Sequence, residues 1–295
     1  MLRFLLVSLL LVTSLSAQSS VWKISRGANS LYLAGTLHML RPADFPLPAE
    51  FDHAFAVSKK LFFETDISRL QSSAEMLGVI TTQGMYTDGT SLEKVLTPEA
   101  WKAVQEYCAK SGLPLEQLRH MKPWLFTITM AMVELQKLGI SSQGVDIHYF
   151  NKTAEAGKST GELETFERHL QHLVNLGAGH ESEMIAKTIE DLAELPGILE
   201  KLIAAWRIGD LKKIDTLMLE DTRKKYPAVF KDLLVDRNNA WLPRIEALIK
   251  TSEVELILVG AGHLAGPEGL IALLKAKGYT IEQVDLANAK KSPKS

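Results

Sequence analysis

The chain has 295 residues, of which 46% are hydrophobic and 23% are charged, an ordinary composition for a soluble globular protein. Its 33 basic and 35 acidic side chains leave a formal net charge of −2, so no excess of positive charge points to nucleic acid or an anionic membrane as a partner. This length allows one or two domains.

The first residues have the layout of a secretory signal peptide. Arg3 is followed by an apolar stretch from Phe4 to Val12, and small residues lead up to Ala17. The apolar stretch is shorter than the roughly 20 residues that cross a membrane. We therefore predict that residues 1–17 are a signal peptide, that the protein acts in the periplasm or outside the cell, and that it has no stable membrane insertion after cleavage. The alternative is an uncleaved N-terminal anchor.

Strand-like segments occur mainly at the two ends of the chain. The nearly continuous apolar run Val254–Gly260 is typical of a central strand that is covered on both faces. The other strand-like segments are Val21–Ser25, Leu31–Gly35, Lys60–Thr65, Ser159–Glu164 and Gly278–Val284. The first two of these flank a turn-rich link, as in a hairpin.

The rest of the chain has mostly helical patterns. Thr97 before Pro98 is a typical helix start. Apolar residues recur at helical spacing over Pro48–Ser58, Pro123–Leu138, Glu181–Arg207, Asp210–Leu219, Asp236–Ile249 and Gly266–Lys277. We therefore predict an α/β fold with a central mixed sheet formed by strands from both ends of the chain, flanked by helices, with a long helix-rich middle. This fold forms one domain over residues 18–289, and the lysine-rich residues 290–295 form a disordered tail.

Cys108 is the only cysteine, so the chain forms no internal disulfide. It lies in a helix-patterned segment, where a free thiol usually behaves as a small buried hydrophobe.

Two strands end in the same four-residue shape, Gly-x-x-His. Gly35 to His38 closes the second strand, and Gly260 to His263 closes the long apolar one. Ligand sites gather at the carboxyl ends of strands in α/β sheets, and imidazole is the commonest metal ligand. A third strand brings Glu64 to a similar position. Two histidines and a carboxylate are sufficient to hold Zn²⁺, Mn²⁺ or Co²⁺ while leaving positions for water. The alternative is that each motif is a structural turn.

A series of motifs resembles the TraB/GumN family in content and order. They are Leu33–His38 after a hairpin, Phe63–Asp66, Gly144–Asp146, Gly161–Thr165, Arg237-Asn238 before Trp241, and Val259–Gly266. That family is similar to the Tiki proteins, which are metal-dependent proteases, and more distantly to erythromycin-esterase-like and ChaN-like proteins. The resemblance implies a central sheet flanked by helices and a site built from the two Gly-x-x-His motifs and an acid.

Carried over to this sequence, the resemblance implies a metal bound by His38, His263 and Glu64. Four more polar positions match the family pattern: Asp146, Glu164, Arg237 and Asn238. Gly35 and Gly260 are further site candidates, because glycine lets the backbone turn and a ligand approach closely.

The residue types leave more than one role open for these positions. Asp146 lies in the first turn of a predicted helix, where it can complement the helix dipole or serve the site. Glu164 ends a short strand. Arg237 and Asn238 offer a charged fork and an amide that suit a developing oxyanion. The alternative is a buried Arg237 that pairs with one of the acids.

The remaining histidines are weaker candidates. His169 and His172 stand three residues apart among charged and amide residues, which predicts a solvent-exposed helix face. The sequence contains no HExxH zinc-peptidase motif, nucleophile elbow, Walker loop or dinucleotide fingerprint. These absences argue against serine-hydrolase, NTPase and nicotinamide-dependent redox functions.

The leading hypothesis is a metal-dependent hydrolase, with a peptidase as one form of it, acting on a peptide or small molecule that the sequence does not identify. Glu64 is either the third metal ligand or the general base. The second hypothesis is a non-catalytic binding protein that holds a metal, haem or another ligand in the same pocket. The third is an interaction scaffold without a site.

Overall fold

The computed structural model describes residues 18–286, so the predicted signal peptide and the predicted tail at 290–295 lie outside the described residues. Its strands are β1 (Gln18–Arg26), β2 (Asn29–Thr36), β3 (Lys60–Phe63), β4 (Ser159–Glu162), β5 (Glu255–Gly260) and β6 (Thr280–Asp285). They form one six-stranded sheet in the order β4-β3-β5-β2-β1-β6. The sheet unites strands from both ends of the chain, which confirms the predicted α/β fold.

The helices occupy most of the remaining chain. They are α1 (Ala49–Val57), α2 (Ile67–Leu70), α3 (Ser73–Val79), α4 (Leu92–Val95), α5 (Pro98–Ser111), α6 (Leu115–Leu118), α7 (Pro123–Lys137), α8 (Val145–Glu155), α9 (Phe166–Val174), α10 (Glu181–Ile208), α11 (Leu211–Ile214), α12 (Glu220–Lys225), α13 (Pro227–Phe230), α14 (Asp236–Leu248) and α15 (Leu270–Ala276). Wider π-helical turns follow α3, α11 and α13, and 3₁₀ turns cover Pro42–Asp44 and Ala261–Leu264. Among the described residues, no helix is both long and apolar enough to cross a membrane.

The sheet is mixed in a way that collects several strand ends at one edge. β1 pairs antiparallel with β2 and with β6, whereas β2, β5, β3 and β4 run parallel to one another. β5 lies in the middle and every residue of it is buried, which explains its unbroken apolar sequence. The carboxyl ends of four parallel strands therefore meet at the same edge.

Apolar side chains cover both faces of the sheet. On one face, Phe63 and Leu258 pack with α1, α8 and the end of α10. On the other, Phe62 and Ile257 pack with α14 and α15. The indole Nε1 of Trp206 on α10 donates to the carbonyl oxygen of Gly35 at 2.7 Å, which fixes the helix against β2. The two layers hold the sheet edge in place.

The helix-rich middle forms separate apolar clusters away from the sheet. Thr97 caps α5 as predicted, since its side chain accepts a hydrogen bond from the backbone N–H of Ala100. Cys108 is buried in the cluster between α5, α7 and α10, as expected for a structural thiol.

Two predicted helices are shorter in the structure. The segment from Asp210 is an α-helix only to Ile214 and then widens into a π-helical turn. The last helix begins at Leu270 and not at Gly266, because Gly266 has a φ of +76°, which is outside the right-handed helical region.

Candidate functional site

The two Gly-x-x-His motifs lie side by side at the edge of the sheet. β2 and β5 are adjacent parallel strands, and Thr36 pairs with Gly260 in their register. The backbone after β2 continues to His38, whereas the backbone after β5 turns at once into a 3₁₀ helix that carries His263. Glu64 follows β3, the neighbour of β5 on its other side. The sequence prediction that these strand ends meet is confirmed.

His38 lies on the open side of the site, with 58% of its side chain exposed. Its Nδ1 is 2.8 Å from Oδ2 of Asp146, and the hydroxyl of Thr36 donates to the other carboxylate oxygen at 3.0 Å. The surrounding protein disfavours a charged ring, but the Asp146 and Glu64 carboxylates outweigh this effect and raise the pKa of His38 to about 9. The two carboxylates therefore favour the protonated form of His38.

Gly144 allows Asp146 to reach His38. A side chain at this position would place a Cβ only 2.1 Å from the carbonyl carbon of His38. The backbone N–H of Val145 also donates to the carbonyl oxygen of Leu37 at 3.0 Å, so the start of α8 rests directly on the chain after β2. The acid in this first helical turn is therefore held at the imidazole.

His263 has the same motif but a closed environment, with only 9% of its side chain exposed. Its Nδ1 is 2.7 Å from Oδ1 of Asn238, so Nδ1 carries the proton and donates it. Its Nε2 accepts a hydrogen bond from Nη1 of Arg237 at 3.1 Å. Burial, reinforced by the Arg237 charge against the opposing attraction of Glu64, lowers the pKa of His263 to about 3, so this imidazole is neutral.

Glu64 connects the two motifs. Its Oε1 accepts a hydrogen bond from the backbone N–H of Gly260 at 2.7 Å, and its Oε2 accepts one from Nη2 of Arg237 at 2.6 Å. Burial favours the protonated acid, but Arg237 and then the nearby histidines hold its pKa well below the usual range. The same Oε1 is 3.7 Å from Nε2 of His38 and 3.8 Å from Nε2 of His263. One carboxylate oxygen thus faces both imidazoles.

Arg237 is the cation at the centre of the buried half. Besides Glu64, it binds Glu164, whose Oε1 is 2.7 Å from Nη2. Glu164 also accepts a hydrogen bond from Nε1 of Trp241 at 3.2 Å. The guanidinium lies over the Trp241 ring, 4.6 Å from its centroid. The pairing of Arg237 with the acids, left open by the sequence, is therefore present on both Glu64 and Glu164.

Asn238 has a different position from the one expected for an oxyanion donor. Its Nδ2 donates to the backbone carbonyls of His263 at 3.2 Å and Glu268 at 2.9 Å, and the residue is fully buried. Both N–H groups are therefore engaged, and the amide positions the His263 imidazole and does not face a substrate. Sequence reasoning could not anticipate this, because the partners are backbone carbonyls of a distant turn.

Gly35 and Gly260 are both needed for close packing at the sheet edge. A Cβ at Gly260 would lie 3.0 Å from Nε2 of His38 and 3.3 Å from Oε1 of Glu64. A Cβ at Gly35 would lie 3.0 Å from Cδ1 of Leu264. Gly260 therefore leaves room for the site itself, whereas Gly35 leaves room for the turn that carries His263.

The predicted solvent-exposed position of His169 and His172 was wrong. Their side chains are only 16% and 20% exposed. Nδ1 of His169 is 3.0 Å from Oε1 of Glu164, and Nε2 of His172 is 3.9 Å from Oε2 of the same carboxylate. The physical reason is that α9 buries Phe166 and Leu170 and thereby turns its histidine face towards the site. The helical spacing of Phe166 and Leu170 around the histidines was the sequence feature that could have predicted this burial.

A cavity of about 290 Å³ lies in front of these groups. His38, Glu64, Arg237 and His169 contribute its polar wall. Its apolar wall is formed by Ile67, Leu70, Ile147 and Leu173. A mostly apolar pocket with a few convergent polar groups is the usual form of a small-ligand or substrate site.

The two imidazoles are oriented as metal-binding histidines are. In each, an oxygen of a neighbouring side chain holds Nδ1, Asp146 for His38 and Asn238 for His263. Such partners commonly fix the tautomer and direct the other nitrogen towards a metal. Both Nε2 atoms face Oε1 of Glu64. Two imidazole nitrogens and a carboxylate oxygen form a suitable ligand set for Zn²⁺, Mn²⁺ or Co²⁺.

Arg237 blocks one of the nitrogens in this ligand set. Across residues 18–286, no group of three or more His, Cys, Asp or Glu side chains is arranged to hold a metal ion. Nη1 of Arg237 is 3.1 Å from the very nitrogen of His263 that would coordinate. The donors therefore fit a divalent ion by type and orientation, provided that the guanidinium moves off His263 and that Nε2 of His38 releases its proton to the solvent.

Comparison with known proteins gives one family and several relatives. The model of the TraB/PrgY/gumN family matches residues 20–283. The chain is 23% identical to Metalloprotease TIKI2 of Danio rerio over 92% of this chain and 62% of that protein, and 24% identical to Metalloprotease TIKI2 of Xenopus tropicalis over 90% and 59%. It is 23% identical to the human Metalloprotease TIKI1 over 90% of this chain and 61% of that protein. The chain thus spans about three fifths of the length of these relatives. No solved structure matches it.

Proposed function

Because the chain belongs to the TraB/PrgY/gumN family, we propose that it is a metal-dependent hydrolase whose substrates are peptides. One observation carries this proposal: Oε1 of Glu64 lies 3.7 Å from Nε2 of His38 and 3.8 Å from Nε2 of His263, beside a cavity that His38 and Glu64 line. The relatives that are named metalloproteases support the reaction class. On the basis of the predicted signal peptide, we further propose that it acts in the periplasm or outside the cell.

His38, His263 and Glu64 would hold the divalent ion, Zn²⁺, Mn²⁺ or Co²⁺. When bound, such an ion lowers the pKa of a water ligand and polarises a carbonyl group. Oε1 of Glu64 lies 3.7 Å from Nε2 of His38 and 3.8 Å from Nε2 of His263, so this oxygen can share one ion with both imidazoles. We therefore assign Glu64 to metal binding and not to the general-base role.

The chain's own groups position the reacting atoms. Asp146 orients His38, and Asn238 orients His263. Arg237 lines the cavity as a buried cation, where it can stabilise negative charge that develops on a carbonyl oxygen. The apolar wall of the cavity would exclude water from these groups once a substrate fills it, which would strengthen their electrostatic interactions.

His169 is the remaining candidate for moving a proton. Its Nδ1 faces the carboxylate of Glu164 at 3.0 Å, and an ionised carboxylate can only accept, so Nδ1 carries a proton. Its Nε2 is then the nitrogen that can exchange a proton with a leaving group, since the side chain lines the cavity. This pair resembles the arrangement in which a carboxylate orients a catalytic imidazole.

A second candidate function is the non-catalytic binding of a metal, haem or another ligand in the same cavity. It is favoured by Arg237, a buried cation on the cavity wall that neutralises Glu64 and Glu164 and can also pair with an acidic group of a bound ligand.

Hydrolysis of fluorescently labelled β-casein by the protein after chelator treatment and addition of Zn²⁺, Mn²⁺ or Co²⁺ tests the proposal. We expect cleavage that requires one of these ions and falls by roughly 10²-fold or more in His38→Ala and His263→Ala. His120→Ala is the matched control, because His120 lies outside the cavity and contacts the carbonyl oxygen of Thr90 at 3.0 Å. Retention of a bound ion without cleavage of casein would favour the binding function instead.

A further inference from the structure

Among residues 18–286, strand β4 forms one end of the sheet and has an edge that pairs with no other strand. It pairs with β3 on one side and is the last strand in the sheet order. The backbone N–H of Leu163 donates to the carbonyl oxygen of Phe63 at 2.9 Å. Since every second residue of a parallel strand bonds to a given neighbour, the N–H and C=O groups of Thr160 and Glu162 point away from β3. Such a row of backbone groups is a template for another extended chain.

A cleft of about 380 Å³ runs along this edge. Thr160 and Glu162 of β4 line it, together with Phe150 and Arg244. Phe150 comes from α8, which covers one face of the sheet. Arg244 comes from α14 on the other face, where its guanidinium lies 5.9 Å from the centroid of the Phe62 ring. The cleft therefore encloses the strand edge from both faces.

The edge cleft adjoins the cavity at the candidate site. Thr65 and Ile67, which follow the end of β3, line both spaces. A chain bound along β4 would therefore have a short path to the candidate site.

We propose that an extended segment of a polypeptide substrate binds antiparallel or parallel to β4 as a seventh strand and continues past Thr65 to His38 and Glu64. The peptide class of this substrate rests on the proposed function, whereas the binding mode rests on the strand edge. The edge recognises the backbone of the bound segment, because Thr160 and Glu162 present their own backbone N–H and C=O groups there. Alternate side chains of the bound segment would face Phe150 and Arg244.

The substitution Glu162→Pro tests this binding mode. Proline removes the outward N–H of residue 162 and leaves the bonds to β3 intact, and proline is tolerated on a strand edge. The matched control is Glu162→Gln, which keeps the N–H and the shape of the side chain. Both changes are made in the full chain with His38→Ala, so that the labelled β-casein, an unstructured polypeptide, binds without being cut.

We expect fluorescence anisotropy to show casein binding that weakens by roughly tenfold in the Pro variant and stays within roughly twofold in the Gln variant. Hydrogen exchange of the His38→Ala protein should also slow at the amides of Thr160 and Glu162 when casein is added. Equal binding by a folded Pro variant, or unchanged exchange at both amides, would overturn the proposal. If the Pro variant does not fold, hydrogen exchange at the two amides tests the proposal by itself.

This test separates the binding mode from the hydrolase proposal. Protection of the Thr160 and Glu162 amides without cleavage by the metal-loaded wild type would refute hydrolysis and leave the strand-edge site standing. Cleavage without protection at these amides would refute the strand-edge site and leave hydrolysis standing.

Discussion

The two Gly-x-x-His strand ends are the same in sequence pattern and opposite in environment. His38 is more than half exposed and has a pKa raised to about 9, whereas His263 is buried and has a pKa lowered to about 3. The difference comes from the helix that each imidazole contacts. The first turn of α8 gives His38 a carboxylate, and α14 gives His263 an amide and a guanidinium. The repeated motif therefore determines where each histidine lies at the sheet edge, and the side chains that contact each imidazole determine its protonation state.

This comparison divides the site into a buried half and an open half. The buried half, formed by His263, Asn238, Arg237, Glu64 and Glu164, is a closed network of charges and hydrogen bonds. The open half consists of His38 and Asp146 beside the cavity. Changes in the buried half should cost stability, and changes in the open half should alter protonation.

The largest effect is expected from Arg237→Met. Removing the guanidinium leaves Glu64 and Glu164 buried without their cation, and breaking such a pair costs about 3–5 kcal/mol. Chemical denaturation should show this loss. Arg244→Met on the same helix is the control and should stay within about 0.5 kcal/mol, because Arg244 is exposed. In addition, Zn²⁺ should stabilise the Arg237 variant more than the Arg244 variant, since a metal can replace the lost cation. Equal stability of the two variants would contradict the role of Arg237.

A smaller effect is expected from Gly260→Ala. The added methyl group would press on Nε2 of His38 and on Oε1 of Glu64, at 3.0 and 3.3 Å. We expect metal affinity, measured by calorimetry, to fall by roughly tenfold, the lower end of the effect of disturbing groups around a metal. Gly197→Ala, where a Cβ meets nothing within 4 Å, should leave the affinity unchanged. An unchanged affinity in both variants would show that the ligands are not held where we place them.

The two imidazoles should give the metal-free protein opposite pH slopes of stability. The pKa of His38 is raised from 6.5 to about 9 on folding, so its stabilisation is complete below pH 6.5 and disappears as the pH rises to about 9. The pKa of His263 is lowered from 6.5 to about 3, so the unfolded state takes up a proton first and stability falls as the pH drops from 6.5 towards 3. Melting temperatures against pH should show His38→Gln flattening the alkaline limb and His263→Gln the acid limb. Flattening of the same limb by both variants would refute the comparison.

The most local effect is expected from Asp146→Asn, which should change the pKa of a single neighbouring imidazole. Without the carboxylate, the pKa of His38 should fall from about 9 towards its ordinary value, because Asp146 is the main group that raises it. Nuclear magnetic resonance titration of the imidazole protons measures this shift, with the resonance of His263 as the internal control. A pKa of His38 that stays near 9 in this variant would assign the shift to another group.

The strand ends were predictable because their signals are local. Gly35 to His38 and Gly260 to His263 each follow an apolar strand, and parallel strands must bring such ends together. The partners of these residues were only partly predictable. Asp146 could be placed at a helix start, but its contact with His38 depends on Gly144, whose missing Cβ allows the two backbones to touch.

The long-range contacts of the buried half were not accessible from periodicity. Arg237 is 73 positions from Glu164 and 173 from Glu64, so no local pattern links them. His169 and its neighbour His172 were assigned to the surface because polar residues surround them in sequence. In the structure, α9 packs Phe166 and Leu170 against the core. The two histidines lie beside these apolar residues on the helix, so they become partly buried next to Glu164.

The central claim is that His38, His263 and Glu64 hold one divalent ion. It is tested most directly by the metal content of the protein purified without chelator and dialysed against buffered Zn²⁺, for the wild type beside His38→Ala and His263→Ala. The account predicts about one ion for each wild-type chain, as expected for a single set of three ligands, and a marked loss of the ion in both variants. A wild type without bound metal, or equal metal content in all three proteins, would contradict it.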